Sequence, residues 1–348
     1  MIPQRVIVVG CGTMGSSHAR SYAKLGGFAL AALVDRSREK AERLSNELGG
    51  VPVFESFAAA IARARADAAA ICTHPESHAA LALQALDGGL HVFVEKPIAS
   101  SVREAEEVVR KARSCGRKVV VGYILRHHPA WQRFIEEARL LGKPLVMRLN
   151  LNQQSSGASW DVHRKLMESV SPIVDCGVHY VDVMCQMTRS LPVRVQAVGA
   201  RVSGEIADTM YNYGHLHVVF GDGSVGWYEA GWGPMMSDTA SFVKDVIGPK
   251  GSISIAGERE GTGSDDIDSH TKTGCLLRHD AASMTNTRID TSDEPDHQEL
   301  CTREQAWFLD AIEHDLDLSD HLGDAVSSLR IVLAADESVR TGNVIHLT

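Results

Sequence analysis

Through residue 123, short apolar runs alternate with stretches of helical periodicity. The runs are "RVIVV", "ALAALV", "AAAIC", "HVFVE" and "KVVVG". Between them, "SREKAERLSNELGG" and "SVREAEEVVRKARSCG" carry apolar residues at helical spacing. Ser37 and Ser101 stand where N-caps belong, and Gly49 and Gly116 where those helices should stop. Strands linked through helices by short connections predict a parallel sheet wrapped by helices.

Further along, strand-like stretches follow one another: "PLVMRLNLNQ", "RVQAVGARV", "YGHLHVVFGDGSVGWYEAGW" and "VKDVIGPKGSISI". Asp222-Gly223 suits a tight hairpin turn, so these strands predict an antiparallel sheet. One face would lie against the first domain, and the other carries enough apolar residues for an oligomer interface. Residues 258–299, rich in Gly, Ser, Thr, Asp and Glu, predict a long excursion of short strands and loops. "REQAWFLDAIEH" and "GDAVSSLRIVLAADESVRTG" read as helices.

Within the second part, "SPIVDCGVHYVDV" predicts one helix, with Ser171 as N-cap and Pro172 at its first position. Val174, Val178, Val181 and Cys185 form a buried stripe, while Asp175, His179 and Asp182 line up at i, i+4 and i+7 on another face.

The first turn, "VVGCGTMGSSHA", holds Gly10, Gly12 and Gly15 as G-x-G-x-x-G between a strand and a helix. Gly10 permits the turn, Gly12 lets backbone approach a pyrophosphate, and Gly15 lets helix and strand pack closely. The helix N-terminus then faces phosphate charge, with Thr13 and Met14 in the same turn. Asp35, at the end of the second strand and twenty residues past Gly15, can accept the ribose hydroxyls of NAD. Arg36 could hold a 2′-phosphate, which keeps NADP as the alternative, but Asp35 would repel that phosphate.

Other polar residues close the following strands. Thr73 and His74 sit at a carboxyl edge where ligands bind, with His78 in the next helical turn. Glu95-Lys96-Pro97 ends another strand; Lys96 beside a nicotinamide would have a lowered pKa and could hydrogen-bond a reacting oxygen. Arg126 is a candidate anchor for substrate or for the cofactor carboxamide. "SWDVHRKL" offers Trp160 and His163 as a surface for a sugar ring, and Tyr123 is a further substrate candidate.

Composition narrows the picture. A chain of 348 residues suggests two domains, and 44% apolar content supplies large cores. The formal charge of −9 and the lack of any basic run argue against nucleic acid. No apolar run approaches the ~20 residues of a membrane span. "MIPQRVIVVG" enters a strand at once, leaving no room for a signal peptide. Seven scattered cysteines without a C-x-x-C pair read as reduced thiols in the cytoplasm. His215 and His217 share a strand face, but a metal site would need a third ligand, so none is expected.

The motifs "VVGCGTMG", "HVFVEKP", "VGYILRHHPAW", "DCGVHYVD" and "SSLRIVLAADESVRTG" resemble those of the glucose–fructose oxidoreductase / inositol dehydrogenase (Gfo/Idh/MocA) family over nearly the whole length. The resemblance implies an α/β fold: an N-terminal doubly wound Rossmann domain, 1–123, and a C-terminal α+β domain, 124–348, with a large open, mostly antiparallel sheet. The C-terminal helix can pack back on the first domain. It also implies NAD(P) chemistry on hydroxyls of small polyhydroxylated molecules, and self-association as a dimer or tetramer. Lys96, Asp175 and His179 fall on the family's catalytic lysine, aspartate and histidine. Two departures stand out: Thr73-His74 where the family has Thr-Pro, and Val170-Ser171 where it has a glycine pair.

On this reading, His179 takes the hydroxyl proton as hydride leaves the same carbon, Lys96 steadies the alkoxide, and Asp175 orients substrate and imidazole. Three alternatives compete. One is an NAD-retaining glycosidase or lyase cycle without net redox; another is a non-catalytic NAD sensor, which predicts erosion of Lys96, Asp175 or His179, none of which is eroded. The third is a metal-dependent alcohol dehydrogenase built on Asp175, His179 and Asp182, which lacks a further ligand. The acidic balance suits a cationic substrate such as an aminosugar or aminoglycoside.

Overall fold

A computed structural model describes residues 2–237, 243–256 and 270–347. The chain divides into two compact units, Met1–Ile124 with Gln298–Val326, and Leu125–His297 with Ser327–Thr348.

In the first unit, six strands form one parallel sheet: β1 Gln4–Val9, β2 Phe28–Val34, β3 Val53–Phe54, β4 Ala68–Ile71, β5 His91–Glu95 and β6 Val119–Gly122. Their spatial order is β3-β2-β1-β4-β5-β6, so the direction of winding reverses beside β1, where such sheets bind nucleotides. The strand interiors are almost wholly buried, which explains their unbroken apolar runs. The crossovers contain α1 Thr13–Lys24, α2 Arg38–Glu47, α3 Phe57–Arg63, α4 His78–Asp87 and α5 Val102–Cys115. Ser37 caps α2 by accepting from Lys40 N, and Ser101 caps α5 by accepting from Glu104 N. Gly116 ends α5 in the left-handed region, φ +63°. The helix His297–Glu313 adds Phe308, whose ring stacks at 5.9 Å on Phe28 of β2.

In the second unit, α6 Pro129–Leu140, β7 Val146–Gln153, α7 Gly157–Leu166, α8 Pro172–Asp175 and α9 Gly177–Thr188 precede a run of strands. These are β8 Pro192–Ala200, β9 Tyr213–Phe220, β10 Val225–Trp232, β11 Lys244–Gly248, β12 Gly251–Ile255, β13 Gly274–Asp280, β14 Thr285–Thr291 and β15 Ile345–His346. With β7 they build a nine-stranded sheet in the order β14-β13-β12-β11-β7-β10-β9-β8-β15. Every pairing is antiparallel except β10 with β7. The β9–β10 hairpin closes at Asp222-Gly223: Gly223 has φ +82° and Asp222 Oδ1 accepts from Ser224 N at 2.9 Å. Of the excursion expected over 258–299, β13 and β14 form a hairpin and a helix starts at His297; residues 258–269 lie outside the described residues.

One face of this sheet buries Met147, Leu149, Leu216, Val218, Tyr228, Val246 and Ile253. Alternation turns the other residues outward. Val219, Val225, Val146 and Ile247 pair in one cross-strand row on that side, beside a row holding His217, Trp227 and the Arg148–Asp245 ion pair.

Candidate active site

In the first unit the glycine turn is shaped by close backbone approach. Gly10 has φ +93°, and a Cβ there would lie 2.4 Å from Cys72 O. A Cβ on Gly15 would lie 1.7 Å from Gly10 O, so both positions are closed to side chains by the protein itself. Gly12 differs: a Cβ there would meet nothing within 4 Å. Gly12 is also the N-cap of α1 and supplies no side-chain cap, so the first N–H groups of Thr13, Met14 and Gly15 point at an open cradle. That arrangement fits a dinucleotide pyrophosphate.

Asp35 follows β2 and is half-buried. Its Oδ2 accepts from Cys11 N and its Oδ1 from Ser37 N, each at 2.7 Å, so the acid also locks the glycine turn to the start of α2. Each oxygen keeps a second lone pair for a ribose hydroxyl. Arg36 beside it is exposed. Burial, and then Asp35, push the Cys11 thiol up to about 12, so Cys11 is an inert packing residue.

At the later strand ends the polar residues separate into exposed and buried sets. Thr73 is half-exposed with its hydroxyl 2.7 Å from Ser77 Oγ, and His74 caps the short turn Pro75–Ser77. His78 is 1% exposed, its Nδ1 lying 2.7 Å from Pro97 O and its Nε2 3.0 Å from Thr73 O. Direct cofactor contact was expected of it; the buried ring instead lies between two backbone carbonyls, to one of which its neutral form donates. Burial lowers its pKa, which keeps the ring neutral there. Glu95 also turns inward, Oε1 lying 2.7 Å from Nε2 of buried His18 on α1. Lys96, one residue on, is half-exposed. Tyr123, expected at the substrate, is 1% exposed and sits edge-on to His321. Among the described residues, the ligand atoms of His18, Cys301 and Glu304 lie within 4.8 Å of one another. Both His18 nitrogens are already bonded, to Glu95 and, at 2.9 Å, to Gln305, which leaves the imidazole no lone pair for a metal.

In the second unit the expected single helix is two. The four-residue α8 ends at Asp175, Cys176 joins it to α9, and His179 lies in the first turn of α9. Pro172, Ile173 and Val174 are buried, as is every residue of α9 except His179. Asp175 and His179 are both half-exposed, so of the polar groups that interrupt the apolar pattern of these two helices, these are the ones that reach the surface. Asp182 is 1% exposed and carries a two-pronged ion pair with Arg126, Nε–Oδ2 2.8 Å and Nη2–Oδ1 2.5 Å. Gln186 Nε2 donates to the same carboxylate at 2.9 Å. Arg126, expected to anchor a ligand, is thus committed to a buried carboxylate. His127 has its pKa lowered to about 3 by burial and by Arg126.

Beside Asp175, Gln153 at the end of β7 gathers several groups. Its Oε1 accepts from Trp232 Nε1 at 2.7 Å and from Cys176 Sγ at 3.5 Å. The His163 ring stacks on Trp232 at 4.4 Å and 8°, with Nδ1 2.8 Å from Ser155 Oγ. Trp160, the expected sugar platform, is 5% exposed and cannot present a face; half-exposed His163 lies over Trp232 instead. The roles of Gln153 and Trp232 had one sequence signal: polar and aromatic residues closing "LNLNQ" and "WYEAGW" at strand ends. His215 and His217 approach to 5.5 Å between ring centroids, and among the described residues no third ligand joins them.

Residues 4–123 match the model of an oxidoreductase family with an NAD-binding Rossmann fold, and residues 132–254 match the GFO/IDH/MocA C-terminal domain. The chain belongs to the Gfo/Idh/MocA oxidoreductase family. Its first unit is that family's NAD-binding Rossmann domain. Over 208 residues it is 30% identical to the UDP-N-acetylglucosamine 3-dehydrogenase of Acidithiobacillus ferrooxidans, covering 60% of this chain and 62% of that protein. It is 25% identical to the scyllo-inositol 2-dehydrogenase (NAD(+)) of Bacillus subtilis over 99% of this chain and 96% of that one. The chain spans about half of the length of several other curated relatives it matches. The crystal structure of myo-inositol 2-dehydrogenase from Lactobacillus plantarum shares the fold, with a TM-score of 0.79 at 19% identity over 99% of this chain and 100% of that one.

Proposed function

We propose that this Gfo/Idh/MocA protein is an NAD-dependent dehydrogenase acting on a secondary hydroxyl, or the matching ketone, of a sugar, cyclitol or aminosugar. The observation that carries the reading is the pair Asp175 and His179, the half-exposed residues of two otherwise buried helices. The related dehydrogenases named above act on a nucleotide-linked aminosugar and on a cyclitol, both rings bearing several hydroxyls.

Gly12 and the first N–H groups of α1 hold the pyrophosphate, and Asp35 holds the adenine ribose, which favours NAD over NADP. When bound, nicotinamide supplies the hydride acceptor or donor. His179 removes the hydroxyl proton, Lys96 steadies the oxygen as charge develops on it, and Asp175 orients hydroxyl and imidazole. In reduction His179 returns the proton. The first unit serves as the cofactor body and the second as the substrate body. The outer row Val219, Val225, Val146 and Ile247, with Trp227, forms a self-association face. The scattered thiols suit a reducing, cytoplasmic setting; among the described residues no helix is long and apolar enough to cross a membrane.

A panel of inositols, sugars, UDP-sugars and aminoglycosides with NAD or NADP, followed at the nicotinamide absorption band, tests this. One class should yield stoichiometric NADH, and His179→Ala and Lys96→Ala should each lose orders of magnitude in turnover while still binding NAD. Near-normal turnover in both variants would sink the assignment, and product without net NADH would replace it with an NAD-retaining cycle. Sedimentation of wild type against Val225→Glu tests the association face.

A further inference from the structure

Three polar side chains from distant parts of the second unit meet beneath the start of α8. Ser171 Oγ donates to Asp336 Oδ1 at 2.7 Å, and Tyr211 Oη donates to the same oxygen at 2.5 Å. Tyr211 Oη also lies 2.9 Å from Ser171 Oγ. The serine is 1% and the tyrosine 7% exposed, so both donors are buried, while Asp336 is half-buried.

The fold is shaped to hold it. Gly199 of β8 and Gly214 of β9 face each other in register. A Cβ on either would stand 2.8 Å from the Tyr211 ring. The two glycines therefore form a slot that only a bare backbone can provide, and the ring lying in it delivers its hydroxyl to Asp336. Asp336 itself projects from the helix Ser319–Thr341.

The trio connects onward through Ser171. With its proton committed to Asp336, the Ser171 hydroxyl turns a lone pair toward Val174 N, which it accepts at 3.1 Å. The Ser171 carbonyl accepts from Asp175 N at 3.0 Å. A single turn of helix has little stability of its own, so its direction follows from what fixes its first residue. The residue it ends on is Asp175.

We propose that Asp336 is a positioning residue for the dehydrogenase reaction: through the Ser171 cap, with Tyr211 as its second donor, it sets where the Asp175 carboxylate points. This rests on the catalytic role proposed for Asp175. It also gives Ser171, one of the two positions that depart from the family's glycine pair, a partner outside its own segment.

The test compares Asp336→Leu, Asp336→Asn, Ser171→Gly and Asp175→Ala in the full chain, with scyllo-inositol and UDP-N-acetylglucosamine as probe alcohols. Asp336→Leu should lower kcat by tenfold or more while KM for NAD stays within twofold. Asp336→Asn, which keeps an acceptor for both hydroxyls, should recover most of the rate. Ser171→Gly, a change a helix N-cap tolerates well, should reproduce the Asp336→Leu loss even if that variant folds poorly. In an Asp175→Ala background, Asp336→Leu should cost nothing further. Normal kcat in folded Asp336→Leu or in Ser171→Gly, with Asp175→Ala impaired, would overturn the positioning role alone. An equal loss with and without Asp175 would do the same. Normal activity in Asp175→Ala would remove the catalytic reading and this proposal together.

Discussion

The Gly10 carbonyl oxygen stands 1.7 Å from where a Gly15 Cβ would be, whereas a Cβ on Gly12 would meet nothing within 4 Å. The two glycines of one motif thus have separable duties. Gly15→Ala should cost roughly 2 kcal/mol or more, because backbone rather than a flexible side chain must yield. Gly12→Ala should cost stability only through its poorer N-cap, less than Gly15→Ala, yet weaken NADH binding roughly tenfold or more, since the methyl fills the cradle. Thermal melts and NADH fluorescence titrations check both; wild-type NADH affinity in Gly12→Ala would remove this turn from the cofactor site.

Asp35 accepts from Cys11 N and Ser37 N, so its replacement should act on fold and cofactor together. Asp35→Ala leaves two backbone donors without their acceptor and should cost about 1–3 kcal/mol. It should weaken NAD more than NADP, because a carboxylate that bonds ribose hydroxyls also repels a 2′-phosphate. Titrating both nucleotides on both proteins checks this. An unchanged NADP-to-NAD affinity ratio would mean that Asp35 is only a structural tie.

Local features were the legible ones. Ser37, Ser101 and Gly116 cap their helices as their positions suggest, and Asp222-Gly223 turns the hairpin, because each acts within a few residues. That the first sheet is parallel and wrapped by helices followed from the alternation of apolar runs and helices; its strand order did not. What stayed hidden depends on direction and distance. Glu95 and Lys96 are adjacent at one strand end, but alternation sends Glu95 inward to His18, 77 positions away, and leaves Lys96 half-exposed. His78, Tyr123 and Trp160 carry polar or aromatic chemistry that looks like a site in one dimension and proves buried in three. Asp336 had no local signal, since its partners Ser171 and Tyr211 lie 165 and 125 positions away.

Three histidines make folding sensitive to acid. Burial, then Arg117 and Lys118, lower His91 to about 4; burial, then Arg126, lower His127 to about 3; and burial lowers His78. Their folded pKa values lie below the unfolded ones, so between pH 6.5 and about 4 the unfolded chain takes up protons that the folded chain refuses. Stability is therefore full above pH 6.5 and falls as pH drops, by at most about 1.4 kcal/mol per unit for His127 and by less for the more exposed His91. Urea unfolding at pH 7.5 and 5.5 should show the loss, and His91→Gln should reduce it. A pH-independent midpoint would contradict the assignment.

Glu304 behaves in the opposite sense. It is 1% exposed, and burial, then Glu95, hold its carboxyl well above the ordinary value of 4.5. The folded chain keeps that proton where the unfolded chain releases it, so the contribution is full below pH 4.5 and lost as pH rises. Glu304→Gln, neutral at every pH, should therefore stabilise the protein by at least about 1 kcal/mol at pH 8 and by much less at pH 5. A stability difference that does not grow with pH would show that Glu304 is ionised in the fold.

Arg126 and Asp182 offer a direct contest between a structural and a ligand-binding role. Both prongs of the guanidinium meet a carboxylate that is 1% exposed and further held by Gln186. Removing one member strands the other's charge in the interior, so Asp182→Ala and Arg126→Ala should each cost about 3–5 kcal/mol. The double variant should lose less than the sum, because no uncompensated charge remains. NAD affinity measured on the folded fraction of Arg126→Ala should stay within about twofold of wild type, a change far below the 1.4 kcal/mol of a tenfold effect. If Arg126→Ala instead melts like wild type and binds NAD tenfold more weakly, the guanidinium is a cofactor anchor and the ion pair contributes little.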